Sequence, residues 1–144
     1  MKLLPAQVKI ILPDQGHIGI THRDAEWQSL SVDEQNHNIF RLDAQGQVMW
    51  QIQRDELGKR DWAQMKKYDE EHGFPPRREP FIQLSLAYPD GSNNHKKQDG
   101  SPPAVATWTE GCRVIASALD GWAYELDIET GIARNITPVP HRPW

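Results

Sequence analysis

Apolar and polar residues alternate with period two over most of the chain, in short runs separated by proline, glycine and aspartate. QVKIIL (7–12), a PDQG turn and HIGIT (17–21) predict a first hairpin. Residues 22–37 are polar, with Trp27 and Leu30 as anchors, and read as a loop or short helix. In NIFRL (38–42) the alternation places Phe40 and Leu42 on a core face and Arg41 on the other. After DAQG it resumes, with Val48, Trp50 and Ile52 on one face and Met49 and Gln51 on the other. Gly46 can take the left-handed backbone that a short hairpin loop needs, so this pair predicts a second hairpin.

The pattern changes over DWAQMKKYDEEHG (61–73). Asp61 and Gln64 have capping-box spacing, Trp62, Met65 and Tyr68 follow helical spacing, and Gly73 is a C-terminal stop before Pro75 and Pro76. This predicts one short helix in a charged crossover, an insertion of about residues 55–79. Strand grammar returns in FIQLSLAY (81–88), followed by a polar stretch expected to be a flexible loop over about 89–103. VATW (105–108), CRVIASAL (112–119), WAYELD (122–127) and IARNI (132–136) then predict a four-strand antiparallel meander, with turns at Glu110-Gly111, Asp120-Gly121 and Glu129 to Gly131. The tail TPVPHRPW is proline-rich and reads as extended. The expected fold is mainly β, a single domain over 1–144 built as a two-sheet sandwich or a partial propeller.

Two phrases share one plan. Phe40 and Leu42, then Tyr124 and Leu126, sit two apart; Asp43 and Asp127 open turns that Gly46 and Gly131 close. Aspartate can accept from backbone amides beyond itself, and glycine relieves a positive φ, so the repetition specifies hairpins rather than a repeated ligand site. The phrase resembles the strand-turn unit YxLDxxTG of β-propeller blades, including quinoprotein-like repeats, over roughly a quarter of the chain. A propeller needs at least four blades of four strands, and about nine strands are legible here, so quinoprotein cofactor chemistry is not carried over. The order LDxxGxVxWQI, Glu79-Pro80-Phe81 and DGWxYELDxxTG also resembles small β-rich orphan proteins of bacteria, some of them similar to immunity proteins encoded beside toxins. That resemblance spans most of 38–136 and departs in the charged insertion between Trp50 and Phe81 and in the SNNHKKQDG loop. It implies a binding role and supplies no catalytic residues.

Composition narrows the function classes. The chain has 144 residues, six of them tryptophan, and a formal net charge of −4. An acidic balance argues against a nonspecific nucleic-acid or anionic-membrane binder, which needs a basic face, and leaves open a basic protein partner. Cys112 is the single cysteine, so no internal disulfide can form, which fits a reducing compartment. Pro5, Gln7 and Lys9 interrupt the N-terminal apolar run, so neither a signal peptide nor a membrane span is expected and the default location is cytoplasmic.

Candidate chemistry is sparse. His17 and His22 point to opposite faces of a continuous strand, and His37, His72, His95 and His141 fall near loops or ends. No zinc spacing, phosphate loop, GxSxG elbow or dinucleotide fingerprint occurs, and DGSNN (90–94) lacks the distal glutamate of a calcium hand. Asn135-Ile136-Thr137 has the form of a glycosylation sequon. Cys112 opens a strand with no adjacent base and reads as a structural thiol. Trp50, Trp108 and Trp122 read as packing residues, whereas Trp62 and Trp144 are candidate interface anchors. Lys66 and Lys67 precede Glu70 and Glu71 by four residues, which describes either a solvated helix face or a docking face.

The sequence therefore predicts no catalytic residue, metal or cofactor. It predicts a non-enzymatic protein-binding module, an immunity protein that occludes a basic toxin domain, with Trp62, Tyr68, Asp69, Glu70 and Glu71 as partner-binding residues. The alternative is a self-assembling β domain, a homo-oligomer paired through sheet edges. An enzyme with a site scattered through the chain ranks third.

Overall fold

A computed structural model describes residues 8–21, 31–55, 62–75, 78–91, 104–119 and 121–137, the side chains of Trp62, Ala63 and Ala104 excepted. The elements run β1 (Val8–Ile11), β2 (His17–Ile20), α1 (Val32–Asn36), β3 (Ile39–Leu42), β4 (Val48–Gln51), β5 (Gln53–Arg54), α2 (Trp62–Glu71), β6 (Phe81–Ala87), β7 (Ala104–Thr107), β8 (Arg113–Ala118), β9 (Ala123–Leu126) and β10 (Ile132–Asn135). They form two five-stranded sheets, ordered β4-β3-β2-β1-β7 and β5-β10-β9-β8-β6. The sheets share one apolar core, to which the first contributes Ile10, Ile18, Ile20 and Ile39 and the second Phe81, Leu84, Leu86, Val114, Tyr124 and Leu126. Of the two expected architectures this is the sandwich, a mainly β fold. Trp27 and Leu30, Asp61, Asp120, the 92–103 stretch and the proline-rich tail from residue 138, with Trp144, lie outside the described residues.

The first sheet begins with the predicted hairpin. Ile10 faces Ile18 across the β1–β2 ladder, and five of the eight residues in the two strands are β-branched. The tight turn between them rests on Asp14, whose Oδ1 accepts from the Gly16 amide at 2.8 Å, with Gln15 at positive φ. A Cβ at Gly16 would strike the Leu42 carbonyl, so the turn closes against β3 only with glycine there.

The face assignment on β3 is the reverse of the alternation reading. Ile39 and Arg41 stand opposite Ile20 and Ile18 and so face the core side, while Phe40 stands opposite Gly19 on the outer face. Phe40 is buried yet lies outside the core cluster. On β4 the register slips: Trp50 faces Arg41 and Val48 faces Leu42, which leaves Met49 without an opposite residue. The bulge turns Val48 away from the face that Trp50 occupies, and Val48 is exposed. Period two cannot reveal a bulge, and the apolar-for-core rule misplaced a buried arginine whose partners, the Ile128 carbonyl and Asp14, lie far off in sequence.

The strand then changes sheets without a turn. The Ile52 amide donates to the Ile39 carbonyl in the first sheet, and the Gln53 amide donates to the Gly131 carbonyl in the second. β5 continues parallel to β10, with Arg54 opposite Ala133.

The four-strand meander is corrected to three strands. β8, β9 and β10 are consecutive and antiparallel. β7 instead lies parallel to β1 in the other sheet, with Ile10 opposite Ala106. Its place beside β8 is taken, because β6 and β9 occupy the two sides of that strand. The Glu110-Gly111 turn exists, with Gly111 at φ +89°, but it carries the chain from one sheet to the other. A second helix, α1, resolves the loop-or-helix alternative before β3. Its Ser31–Glu34 capping box satisfies two amides reciprocally.

Both repeated turns are built as their aspartates predict. Asp43 Oδ1 accepts from the amides of Gln45 and Gln47, each at 2.9 Å. Asp127 Oδ1 accepts from the amides of Glu129 and Thr130 at 2.9 and 3.3 Å. Gly46 and Gly131 both adopt φ +80°. The two units also dock on each other. Trp50 Nε1 and Arg41 Nη1 donate to the Ile128 carbonyl at 2.9 and 2.6 Å, and the Trp50 ring lies against Gly131. Arg41 further pairs with Asp14 at 3.0 Å. The Gly16 amide, and after it the Arg41 guanidinium, hold the Asp14 carboxyl below its ordinary range.

A second polar joint ties β3 to β6. The wholly buried Asn38 side chain donates from Nδ2 to the carbonyls of Thr21 and Phe81, each at 2.8 Å, and accepts the Phe81 amide at 3.0 Å. Asn36 Oδ1 accepts the Glu79 amide at 2.7 Å. Arg54 closes the group, donating to the carbonyls of Asn36 and Glu79 at 2.8 and 2.6 Å, with its guanidinium carbon 4.3 Å from the Phe81 ring centroid.

Two stability measurements check these joints. Gly46→Ala carries only the left-handed backbone cost, about 1 kcal/mol. Gly131→Ala adds a Cβ within 2.6–2.9 Å of Trp50 ring carbons, so it is expected to cost about 1–3 kcal/mol more than its twin in urea denaturation. Asn38→Ala strands three buried backbone groups and is expected to remove about 3 kcal/mol or to prevent folding. Equal costs at the two glycines, or a neutral Asn38→Ala, contradict the described packing.

Candidate functional site

The charged insertion carries α2, and among the described side chains of that helix Asp69 is buried and Met65 half-buried while the rest are exposed. Met65 is half-buried and Asp69 is 5% exposed, four residues further on, so these two mark the inward face. Tyr68 lies ~60° from Met65 and Asp69 ~40° to the other side, because successive helical residues advance by about 100°. A spacing of three drifts off the buried stripe, which is why Tyr68 emerges into solvent. Lys66 Nζ approaches Asp33 of α1 at 3.8 Å, an exposed pair that adds little.

The helix stops as Gly73 predicts. Gly73 takes φ +69°, its amide donates to the Glu70 carbonyl, and the Phe74 amide reaches back to the Asp69 carbonyl at 2.9 Å. These are the paired bonds of a Schellman motif, which folds the residue after the glycine back on the helix. Phe74 thereby joins Tyr68 and His72. The Tyr68 and His72 rings stack with centroids 4.0 Å apart, and His72 and Phe74 lie 5.7 Å apart. Tyr68 and Phe74 are each 52% exposed despite these contacts. His72 Nδ1 lies 2.8 Å from the Tyr68 carbonyl, and a carbonyl only accepts, so Nδ1 carries the proton. The neutral ring then presents Nε2 as an acceptor.

The partner-binding residues expected from sequence separate here. Tyr68, Glu70 and Glu71 are exposed around the C-terminal end of α2. Asp69 is not available to a partner, because its side chain turns inward beneath the helix. Trp62 opens the helix, and its side chain lies outside the described residues. His72 and Phe74 were not among the expected residues. The signal for them was Gly73, since a Schellman stop returns the following side chain to the last turn.

The electrostatics of this end are unbalanced. The last turn holds Asp69, Glu70 and Glu71 and no basic residue. Helix carbonyls at a C-terminus carry partial negative charge, so acids there oppose the macrodipole. Among the described residues, Glu70 and Glu71 make no ion pair.

A second surface lies on the outer face of the β5-β10-β9-β8-β6 sheet. Glu125 Oε1 accepts from Arg113 at 2.7 Å and from Arg134 at 3.1 Å across neighbouring strands. Beside this ladder is an open groove of about 510 Å³ lined by Asp55, Glu125, Asp127, Thr130, Ile132 and Arg134 with Leu126. Hydrogen bonding from Arg113, followed by the weaker effect of Arg134, lowers the Glu125 carboxyl below its ordinary range. The pairing organises the sheet surface, and Leu126 and Ile132 give the groove its apolar part.

Cys112 is half-buried, with its Sγ 3.3 Å from the Thr109 hydroxyl. His17 is partly buried on β2, where burial and then the charge of Lys9 disfavour its protonation. His22, His95 and His141 lie outside the described residues. Among the described residues no group of three or more metal-ligating side chains forms, and no helix is long and apolar enough to cross a membrane.

Comparison with protein-family models, curated proteins and solved structures finds no match to this chain.

The Glu125 ladder generates a pH prediction. A depressed carboxyl contributes stability above its unfolded value of about 4.3 and loses it as pH falls through the folded value. Both arginines are more than half exposed, so the contribution is small, about 0.5 kcal/mol. Glu125→Gln is expected to lower stability by that amount at pH 7 and to match the parent by about pH 3. A difference that persists unchanged at pH 3 contradicts the assignment.

Proposed function

We propose that this protein is a non-enzymatic protein-binding module that docks through the C-terminal end of α2. The observation that carries this reading is the Tyr68–His72–Phe74 cluster, three aromatic rings packed on one another and left in solvent beside Glu70 and Glu71. Folding gains little from aromatic surface that stays wet, whereas a partner's pocket gains from burying it. Stacking and the Schellman stop hold the rings in place before binding, which lowers the entropy that association must overcome. The acids give the same end a field that attracts a basic surface and raises the association rate.

The resemblance to immunity proteins gives the reading its biological form. The partner is then a toxin domain with a basic cleft, the aromatic end enters that cleft, and the sandwich blocks its mouth. Such a protein works beside its toxin in the cytoplasm.

The test begins with affinity capture on the intact chain, followed by binding measurements with the captured protein made recombinantly. Tyr68→Ala with Phe74→Ala is expected to weaken binding at least 30-fold, about 2 kcal/mol. Glu70→Lys with Glu71→Lys is expected to slow association about tenfold at low salt while leaving dissociation nearly unchanged. If both variants keep the fold and bind the partner as the parent does, the α2 end is not the docking surface. Self-association that depends on neither pair favours the edge-paired homo-oligomer instead.

A further inference from the structure

Within one fold the chain ends its two helices differently, and the difference points to an occupant. At α1 the carbonyl of the last residue, Asn36, accepts from the Arg54 guanidinium at 2.8 Å. That guanidinium lies 4.3 Å from the Phe81 ring centroid and 5.7 Å from that of Tyr124. A helix C-terminus, an aromatic pair and an arginine thus form one buried unit. At α2 a helix C-terminus and aromatic rings recur in solvent, and among the described residues no basic side chain pairs with Glu70 or Glu71. Glu70 and Glu71 stand at this end, and they add to the negative end of the helix rather than cancelling it.

We propose that the α2 end receives an arginine side chain of a partner protein, which supplies the guanidinium that Arg54 supplies at α1. This rests on the docking reading above and names the chemistry of its occupant. The guanidinium stacks on the exposed aromatic face and sits in the field of Glu70 and Glu71. A neutral His72 ring adds an acceptor at Nε2, because its Nδ1–H is committed to the Tyr68 carbonyl. Arginine fits this set better than lysine. Its planar face stacks on rings, and its forked donors reach several acceptors at once, whereas an ammonium is a compact, strongly hydrated point charge. The arrangement selects guanidinium over charge alone.

The experiment titrates the intact ¹⁵N-labelled protein with three short peptides, Gly-Ser-Arg-Gly-Arg-Ser-Gly and its lysine and citrulline counterparts. Citrulline keeps the shape and removes the charge. The arginine peptide is expected to give saturable shifts centred on amides 68–74, with the lysine peptide about fivefold weaker and the citrulline peptide silent. Tyr68→Ala with Phe74→Ala abolishes these shifts, and Glu70→Gln with Glu71→Gln weakens them about fivefold, while spectral dispersion reports that each variant is folded. Equal affinity for arginine and lysine overturns the proposal, as do shifts centred elsewhere or no binding at all. If the arginine peptide fails and the captured partner still requires Tyr68 and Phe74, the docking surface stands and only its arginine specificity is lost. If the partner's binding is also indifferent to those rings, both readings fall.

Discussion

The carboxamide of Asn38, wholly buried, uses both of its N–H donors and its oxygen on backbone groups of two different sheets. It treats Phe81 as a neighbouring strand would, exchanging a bond with the amide and another with the carbonyl. Among the described residues β6 pairs only with β8, so the stitch also covers part of a sheet edge. Apolar burial brings two short-stranded sheets together but does not fix how one slides on the other, because it has no direction. Hydrogen bonds to buried backbone have direction, and leaving them unmade is costly. Asn38 thereby sets the relative position of β3 and β6, with Asn36 and Arg54 extending the joint to Glu79.

This joint also defines how the candidate surface is presented. The insertion carrying α2 leaves the body after Arg54 and returns at Glu79, and those two residues are bonded to each other at 2.6 Å. Its base is closed by an arginine that stacks on Phe81, which fixes where the chain leaves and rejoins the sandwich. The docked repeat units hold another part of the sandwich. Arg41 and Trp50 of one unit share the Ile128 carbonyl in the turn of the other, and Gly131 admits the indole. The repeated phrase thus describes a shape, and the docking proposal falls on the segment that departs from it.

Much of this was legible in sequence. Turn chemistry was the surest part: Asp43 and Asp127 bind the amides beyond them, and the glycines at 46, 73, 111 and 131 all take positive φ. These features are local, and local rules suffice for them. The errors came from long-range choices. Arg41 shares the face of Ile39, and its guanidinium reaches the Ile128 carbonyl and the exposed Asp14 carboxylate, partners 87 and 27 residues away. β7 joins β1 because β8 has no free side, which no spacing discloses. At the candidate site the exposed Glu70 and Glu71 were readable from helical charge, whereas Asp69 was grouped with them although a 3.6-residue turn sets it on the buried stripe with Met65. The buried polar joint left no signal, since asparagine before a strand reads as loop composition.

Native-state hydrogen exchange tests the central claim most directly, because the amides of Glu79 and Phe81 are bonded to side chains rather than to a strand. If the asparagine joint is part of the cooperative core, both amides open only with global unfolding and share the exchange free energy of β8. If they exchange as fast as exposed loop amides while β8 stays protected, the two sheets are not stitched there, and the base of the α2 insertion is not fixed.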